Sequence, residues 1–329
     1  MKLLIPDPDQ GVSGAQTGRS ASEAHCMMNC PACSSSRGRF FTSAFDRVLN
    51  RPEQMWKIHR CSDCGFGWTE PALRDEEIKQ HYPLTYLGDT ERTLDEFLSG
   101  RLQQSRSWKK EVEKVNLVQD LVPSGRILDV GCGDGKFLWA LDSRKWDRTG
   151  VEFSEETVRL VNQRIDDLKL IEGDIFSEKL QEGSFDVVTF WHVLEHLPRP
   201  QEVLERVRRL LSPGGWIIIS LPNLNSLQAR LFRRYWYAFD DVPRHLYHFA
   251  PRPLEKLLHE KGFHELEHRF FSPIVNIHCL KYSLINWSVA SCGSRLPYYL
   301  LKPLLMLFPF LERITGRYGM LTTVARQSE

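Results

Sequence analysis

The run Arg126-Ile-Leu-Asp-Val-Gly-Cys-Gly-Asp-Gly-Lys-Phe137 constrains the fold of this chain more than any other segment. Ile127, Leu128 and Val130 make a strand apolar enough to be buried on both faces. Gly131, Gly133 and Gly135 then allow positive φ angles and the close approach of a ligand to bare amides. A strand feeding a glycine turn and a helix is the nucleotide cradle of an open parallel sheet. A dinucleotide fingerprint needs glycine at position 136, where this chain has Lys136, so the turn points away from NAD.

From Arg126 onward, apolar runs at 127–130, 148–153, 168–171, 185–191 and 216–221 alternate with helical stretches, which implies an α/β domain with a parallel sheet. Pro213-Gly214-Gly215 reads as a stop between a helix over Val203–Leu211 and a buried strand at Ile217–Ile219. A helix over Pro253–Lys261 closes at Gly262, and strand-like segments follow at 265–271 and 321–325. Upstream, residues 1–25 read as a disordered tail, 26–72 as a cysteine-bearing module and 73–122 as linker helices; 123–329 is the main domain, with an insertion at 273–318.

Glu152 ends the second strand about twenty residues after the glycine turn, where an acid can accept hydrogen bonds from both ribose hydroxyls of a nucleoside. Asp174, after the third strand, is positioned for an adenine amino group, with Phe153 and Ile175 as apolar faces for the ring. Asp129 is placed to brace the turn or reach a cationic ligand group. Alone, each acid is as well explained by a helix cap or a solvated loop; together, at successive strand ends, they form a cofactor constellation.

Asp129-Val-Gly-Cys-Gly-Asp-Gly135, Glu152, Asp174, Phe185-Asp-Val-Val188 and Leu211-Ser-Pro-Gly-Gly215 resemble the ordered motifs of class I S-adenosylmethionine-dependent methyltransferases. The resemblance covers roughly residues 92–329. It implies a seven-stranded, mostly parallel, Rossmann-like sheet with helices on both faces. It also implies Gly131, Gly133 and Gly135 against the methionine part of S-adenosyl-L-methionine, Glu152 on the ribose and Asp174 at adenine.

His192-Val-Leu-Glu-His196 follows the fourth strand, on the ligand-binding rim of such a sheet, and a helical start would set His192, Glu195 and His196 on one face. An imidazole there is a candidate general base for a hydroxyl acceptor; bracing of the loop is the structural alternative. His245 and His248 add imidazoles later in the chain. The set resembles ubiquinone-pathway O-methyltransferases and small-RNA 2′-O-methyltransferases, in which an E-x-x-E-H segment and a distant histidine hold a divalent ion. Here His192 replaces the first Glu of that segment. HVLEHL, Leu221-Pro-Asn223 and Arg244-His-Leu-Tyr-His-Phe249 also resemble a bacterial methyltransferase group associated with cell-envelope polysaccharide and lipid chemistry. The implied reaction is methylation of a hydroxyl oxygen on a small-molecule, sugar or lipid-linked acceptor; C-methylation of a nucleotide sugar, RNA methylation and a non-catalytic scaffold are the alternatives.

Cys30-Pro-Ala-Cys33 and Cys61-Ser-Asp-Cys64 are two C-x2-C knuckles that can close a tetrahedral zinc site, with a β-hairpin filling the interval; redox thiols are the competing use. Cys26 is a possible substitute ligand, whereas Cys132, Cys279 and Cys292 suit small core positions. Such ribbons resemble those fused to sugar C-methyltransferases. Free thiols and no basic-then-apolar leader fit a reducing cytoplasm. Net charge is +1, but Gln228–Glu329 holds 14 Lys and Arg against 8 Asp and Glu, leaving −5 upstream, which weighs against nucleic acid as partner.

Residues 273–318 carry Trp287, Tyr298-Tyr-Leu-Leu301 and Leu304-Leu-Met-Leu-Phe-Pro-Phe-Leu311 with scattered basic residues. No uncharged run reaches about 18 residues, which argues against a spanning helix and leaves a helical cap, a dimer surface, a lid over a lipid-linked acceptor or peripheral membrane contact.

Overall fold

The computed structural model describes residues 29–83, 88–269 and 273–328. The tail expected over 1–25, and Cys26, lie outside them. The strands are β1 (Gly38–Asp46), β2 (Arg51–Cys61), β3 (Gly67–Glu70), β4 (Gly125–Val130), β5 (Trp146–Glu152), β6 (Lys169–Glu172), β7 (Phe185–Trp191), β8 (Leu211–Pro222), β9 (Tyr247–His248), β10 (Phe263–Arg269) and β11 (Met320–Gln327). The helices are α1 (Asp75–Lys79), α2 (Thr90–Leu98), α3 (Arg106–Leu121), α4 (Lys136–Ala140), α5 (Glu155–Arg164), α6 (Pro200–Leu210), α7 (Leu227–Phe232), α8 (Pro251–Glu260), α9 (Pro273–Cys292), α10 (Leu296–Leu301) and α11 (Phe308–Thr315).

Seven strands form one sheet in the order β10-β11-β8-β7-β4-β5-β6. The pairs among β8, β7, β4, β5 and β6 are parallel, and β11 enters antiparallel between β8 and β10. The sheet order reverses direction between β4 and β7, so the strand ends there open a crevice, the position where ligands bind in such sheets. Ile127, Leu128, Val187, Val188, Ile217, Ile218 and Ile219 are wholly buried, as central parallel strands covered on both faces require.

Helix starts are written locally. Ser105 accepts from the Trp108 amide at 3.1 Å and Ser154 from the Thr157 amide at 3.2 Å, each satisfying a donor at the first turn. Val203, Leu204, Val207 and Leu210 place one apolar stripe of α6 against the sheet. One local reading fails: Pro213-Gly214-Gly215 lies inside β8, which begins at Leu211, because Leu211 pairs with Phe185 and the ladder absorbs the glycines as an irregularity between Phe185 and Val187.

The second sheet runs β1-β2-β3-β9. Its first three strands come from the cysteine-bearing segment, and its edge strand is Tyr247–His248 from the far end of the chain. The two modules thus share hydrogen-bonded backbone.

Candidate active site

At the ends of β4 and β5, Gly131, Gly133 and Gly135 hold φ of 66°, 56° and 83°, values that side chains rarely adopt. Their amides are not bare. Gly131 donates to the Val151 carbonyl at 2.8 Å, Gly135 to that of Cys132 at 3.0 Å, and Gly133 to Glu152 Oε2 at 2.9 Å. The amides expected to be bare are thus engaged within the turn itself, and the glycines contribute space. A Cβ on Gly131 would meet Val193 at 2.8 Å, whereas one on Gly133 would meet no atom of the described residues within 4 Å.

Glu152 is buried, and its other oxygen accepts from the Ser154 amide at 3.1 Å. Burial raises its carboxyl above the usual range, and the amides of Ser154 and Gly133 oppose that rise. Asp174 is exposed and folds back to accept from the Phe176 amide at 2.8 Å. Phe153 is exposed, edge-on to Tyr82 at 5.4 Å between ring centroids. Ile175 does not offer a face to a ring: it turns into the core with Leu180 and Phe185, and the exposed neighbour is Phe176. Asp129 is wholly enclosed and accepts from Thr189 Oγ1 at 2.7 Å, so it braces the strand ends and does not reach outward. Its burial pushes the carboxyl up to about 7.

Beyond β7 the chain does not continue as a helix from His192. His192 adopts φ +62°, and a short 3-10 turn spans Leu194–His196, which sends the Glu195 side chain inward while His192 stays partly exposed. Glu195 is buried, and among the described residues no other residue hydrogen-bonds either of its carboxyl oxygens. His192 Nδ1 lies 3.8 Å and His245 Nε2 3.9 Å from Glu195 Oε1. A buried carboxyl without such partners is costly to keep. Burial pushes Glu195 up to about 8 and His196 down to about 3.

The imidazole tautomers follow from their partners. His245 Nδ1 is 2.6 Å from the Ala238 carbonyl and His196 Nδ1 is 3.1 Å from that of Arg244; carbonyls only accept, so both Nδ1 atoms carry hydrogen and each Nε2 keeps its lone pair. The Tyr82 hydroxyl, 3.0 Å from His196 Nδ1, completes that edge. Glu195, His196 and His245 bring one ligand atom each to within 4.8 Å of one another. Two neutral imidazoles and a carboxylate suit a first-row divalent ion. His248 does not join them. Thr69 Oγ1 donates to the His245 carbonyl at 2.7 Å and accepts from His248 Nε2 at 3.0 Å, so His248 braces the ribbon junction. Tyr82 and Thr69 went unrecognised because nothing local in the sequence ties them to residues more than a hundred positions away.

The ribbon's four thiols also converge. Cys30 and Cys64 Sγ are 3.6 Å apart, Cys33 and Cys61 Sγ 3.7 Å, and all four lie within 4.8 Å. Zinc–sulfur bonds of about 2.3 Å in a tetrahedron require sulfurs about 3.8 Å apart, so the cluster fits a structural zinc ion. The β1–β2 hairpin fills the interval between the knuckles.

A family profile described as a methyltransferase domain matches residues 100–268, just over half of the chain. The chain belongs to the S-adenosylmethionine-dependent methyltransferases. This methyltransferase is 28% identical over 169 residues to the ubiquinone biosynthesis O-methyltransferase of Thiobacillus denitrificans, covering 47% of this chain and 72% of that one. It is 31% identical over 147 residues to the corresponding protein of Bordetella avium, covering 40% and 61%. The aligned part thus spans under two thirds of the Bordetella relative. In fold it is similar to Haemonchus contortus phosphoethanolamine N-methyltransferase 2, solved in complex with S-adenosyl-L-methionine: TM-score 0.51 at 17% identity, covering 89% of this chain and 69% of that one.

Proposed function

We propose that this methyltransferase acts on a hydroxyl oxygen of a small-molecule, sugar or lipid-linked acceptor held against Glu195, His196 and His245. The observation that carries this reading is Glu195, a buried carboxyl that no other described residue hydrogen-bonds and whose Oε1 lies 3.8 and 3.9 Å from the ring nitrogens of His192 and His245. The cofactor, when bound, supplies an activated sulfonium methyl, so the protein has to align the acceptor oxygen, exclude water and remove one proton. Gly133 leaves room for the methionine part, Glu152 takes the ribose, and Asp174 with Phe153 borders the adenine. Glu195 receives the hydroxyl proton, since a carboxyl raised toward neutrality is better matched to that task than imidazoles held neutral by burial. Tyr82, whose ring meets Phe153 and whose hydroxyl meets His196, links the cofactor side to the acceptor side.

A second reading is supported by the convergence of Glu195, His196 and His245: a divalent cation held by these three would bind and acidify the acceptor hydroxyl. Incubating the protein and its Glu195→Gln variant with methyl-labelled cofactor and fractionated cell extract, with and without chelator, tests both. Label transferred to an extractable acceptor by the parent and not by the variant supports the site. Restoration by Mg²⁺, Mn²⁺ or Zn²⁺ after chelation selects the cation reading, and equal transfer by both proteins contradicts the proposal.

A further inference from the structure

The helical insertion is built inside out. In α11 the one acidic residue, Glu312, is 0% exposed, while Phe310, Leu311 and Ile314 are 65%, 50% and 67% exposed. The inversion is fixed by a buried polar node: Gln228 Nε2 donates to Glu312 Oε1 at 2.9 Å, Asn276 Nδ2 to Oε2 at 2.5 Å, and the Gly319 amide to Oε1 at 3.1 Å. Because the carboxylate has three donors inside and none of its charge outside, rolling α11 to bury its apolar side would strand that charge.

Leu296, Tyr299, Leu300, Leu304, Met306 and Leu307, in α10 and the turn before α11, are exposed as well, Met306 to 80%. An apolar surface of this kind marks something that covers it. Between 293 and 318 every exposed charged side chain is basic: Arg295, Lys302 and Arg313. A second copy docked face to face would bring these like charges together, which disfavours self-association through this surface. No helix among the described residues is long and apolar enough to cross a membrane.

We infer that the surface formed by α10, α11 and the turn between them seats on an anionic lipid bilayer, with the leucines, Phe310 and Ile314 entering the acyl boundary and Arg295, Lys302 and Arg313 meeting phosphate headgroups. Apolar insertion combined with basic flanking residues is the physical signature of interfacial binding. The docked face adjoins the acceptor side of the enzyme: α9, from which it extends, packs His278 and Tyr282 on Tyr237, and Ser283 Oγ accepts from the Tyr237 amide at 2.9 Å, in the segment leading to His245. The inference does not depend on which acceptor is methylated.

The test is flotation of the full chain with phosphatidylcholine vesicles, with and without phosphatidylglycerol, at low and high salt. A Leu300→Ser/Phe310→Ser/Ile314→Ser variant and an Arg295→Gln/Lys302→Gln/Arg313→Gln variant are run alongside. All substituted positions are exposed, and thermal unfolding confirms that each variant is folded. The parent should float with phosphatidylglycerol vesicles, and both variants should lose at least about tenfold in bound fraction, with the parent weakened by salt. No flotation of the folded parent overturns the inference, as does undiminished flotation of the serine variant. Flotation indifferent to phosphatidylglycerol overturns the anionic part. A solution dimer broken by the serine variant, without flotation, assigns the face to a second copy.

Discussion

Arg244 Nη1 and Nη2 grip the two carboxylate oxygens of Asp46 at 2.6 and 2.8 Å, in a buried pair whose partners stand 198 positions apart in the chain. Asp46 ends β1 of the ribbon, and Arg244 immediately precedes His245. Arg244 Nε also binds Asp241 and its Nη1 the His81 carbonyl, so one guanidinium joins ribbon, linker and acceptor loop. A planar, fork-shaped cation is suited to this in a way lysine is not.

Removing one partner of such a pair leaves an uncompensated buried charge. Asp46→Asn should destabilise the protein by about 3–5 kcal/mol in denaturant unfolding. It should also impair methyl transfer more than cofactor binding, because the loop it releases bears His245. A stability within experimental error of the parent would contradict the clamp.

The ribbon should carry close to one zinc per chain by elemental analysis, and Cys64→Ser should lose it. Since β3 pairs with β9 and the Thr69 amide donates to the Leu246 carbonyl, whose residue in turn donates to that of Glu195, the loss should propagate to the acceptor site. The expected signature is a lower melting temperature and weakened transfer with S-adenosylhomocysteine affinity largely kept. Metal-free protein with unchanged melting temperature would count against a structural zinc.

Two neighbouring glycines should respond oppositely. Gly131→Ala forces a Cβ to 2.8 Å from Val193 and should cost mainly stability. Gly133→Ala points into open space, bears only the backbone strain of φ +56°, and should stay folded while losing about tenfold or more in cofactor affinity by occupying its seat. Thermal unfolding and calorimetric titration of the pair separate these effects.

Asp129 is raised by burial from 3.8 to about 7. Between those values the folded state holds a proton that the unfolded state has released, so this group makes stability fall as pH rises from about 4 to 7 and then level off. Asp129→Asn keeps an oxygen to accept from Thr189 and cannot ionise. The melting temperature of the variant relative to the parent should therefore climb from pH 5 to pH 8; a constant difference would show that Asp129 titrates normally.

The elements legible in the sequence are those with short-range signals. The β4 turn announced itself by three glycines in five positions, α6 by its apolar spacing, and the four cysteines by paired knuckles. Asp129, Glu152 and Asp174 could be placed at strand ends because strand alternation counts them off. What escaped was set by pairing across long separations: Tyr82 on His196, Asp46 on Arg244, Thr69 between His245 and His248. The choice of His245 over His248 as neighbour of Glu195 turns on β9 joining the ribbon sheet, which no local period encodes. His192 reaches Glu195 by another route than the helical spacing expected: its left-handed backbone and the 3-10 turn that follows set its Nδ1 3.8 Å from Glu195 Oε1.

Calorimetric titration of S-adenosylhomocysteine into the parent, Glu152→Gln and Glu195→Gln proteins tests the division of the site into a cofactor half and an acceptor half. Saturable binding of one molecule per chain is expected for the parent, about tenfold or more weaker binding for Glu152→Gln, and affinity near the parent's for Glu195→Gln. No binding to folded parent protein, or loss of binding in Glu195→Gln with Glu152→Gln unaffected, would contradict it.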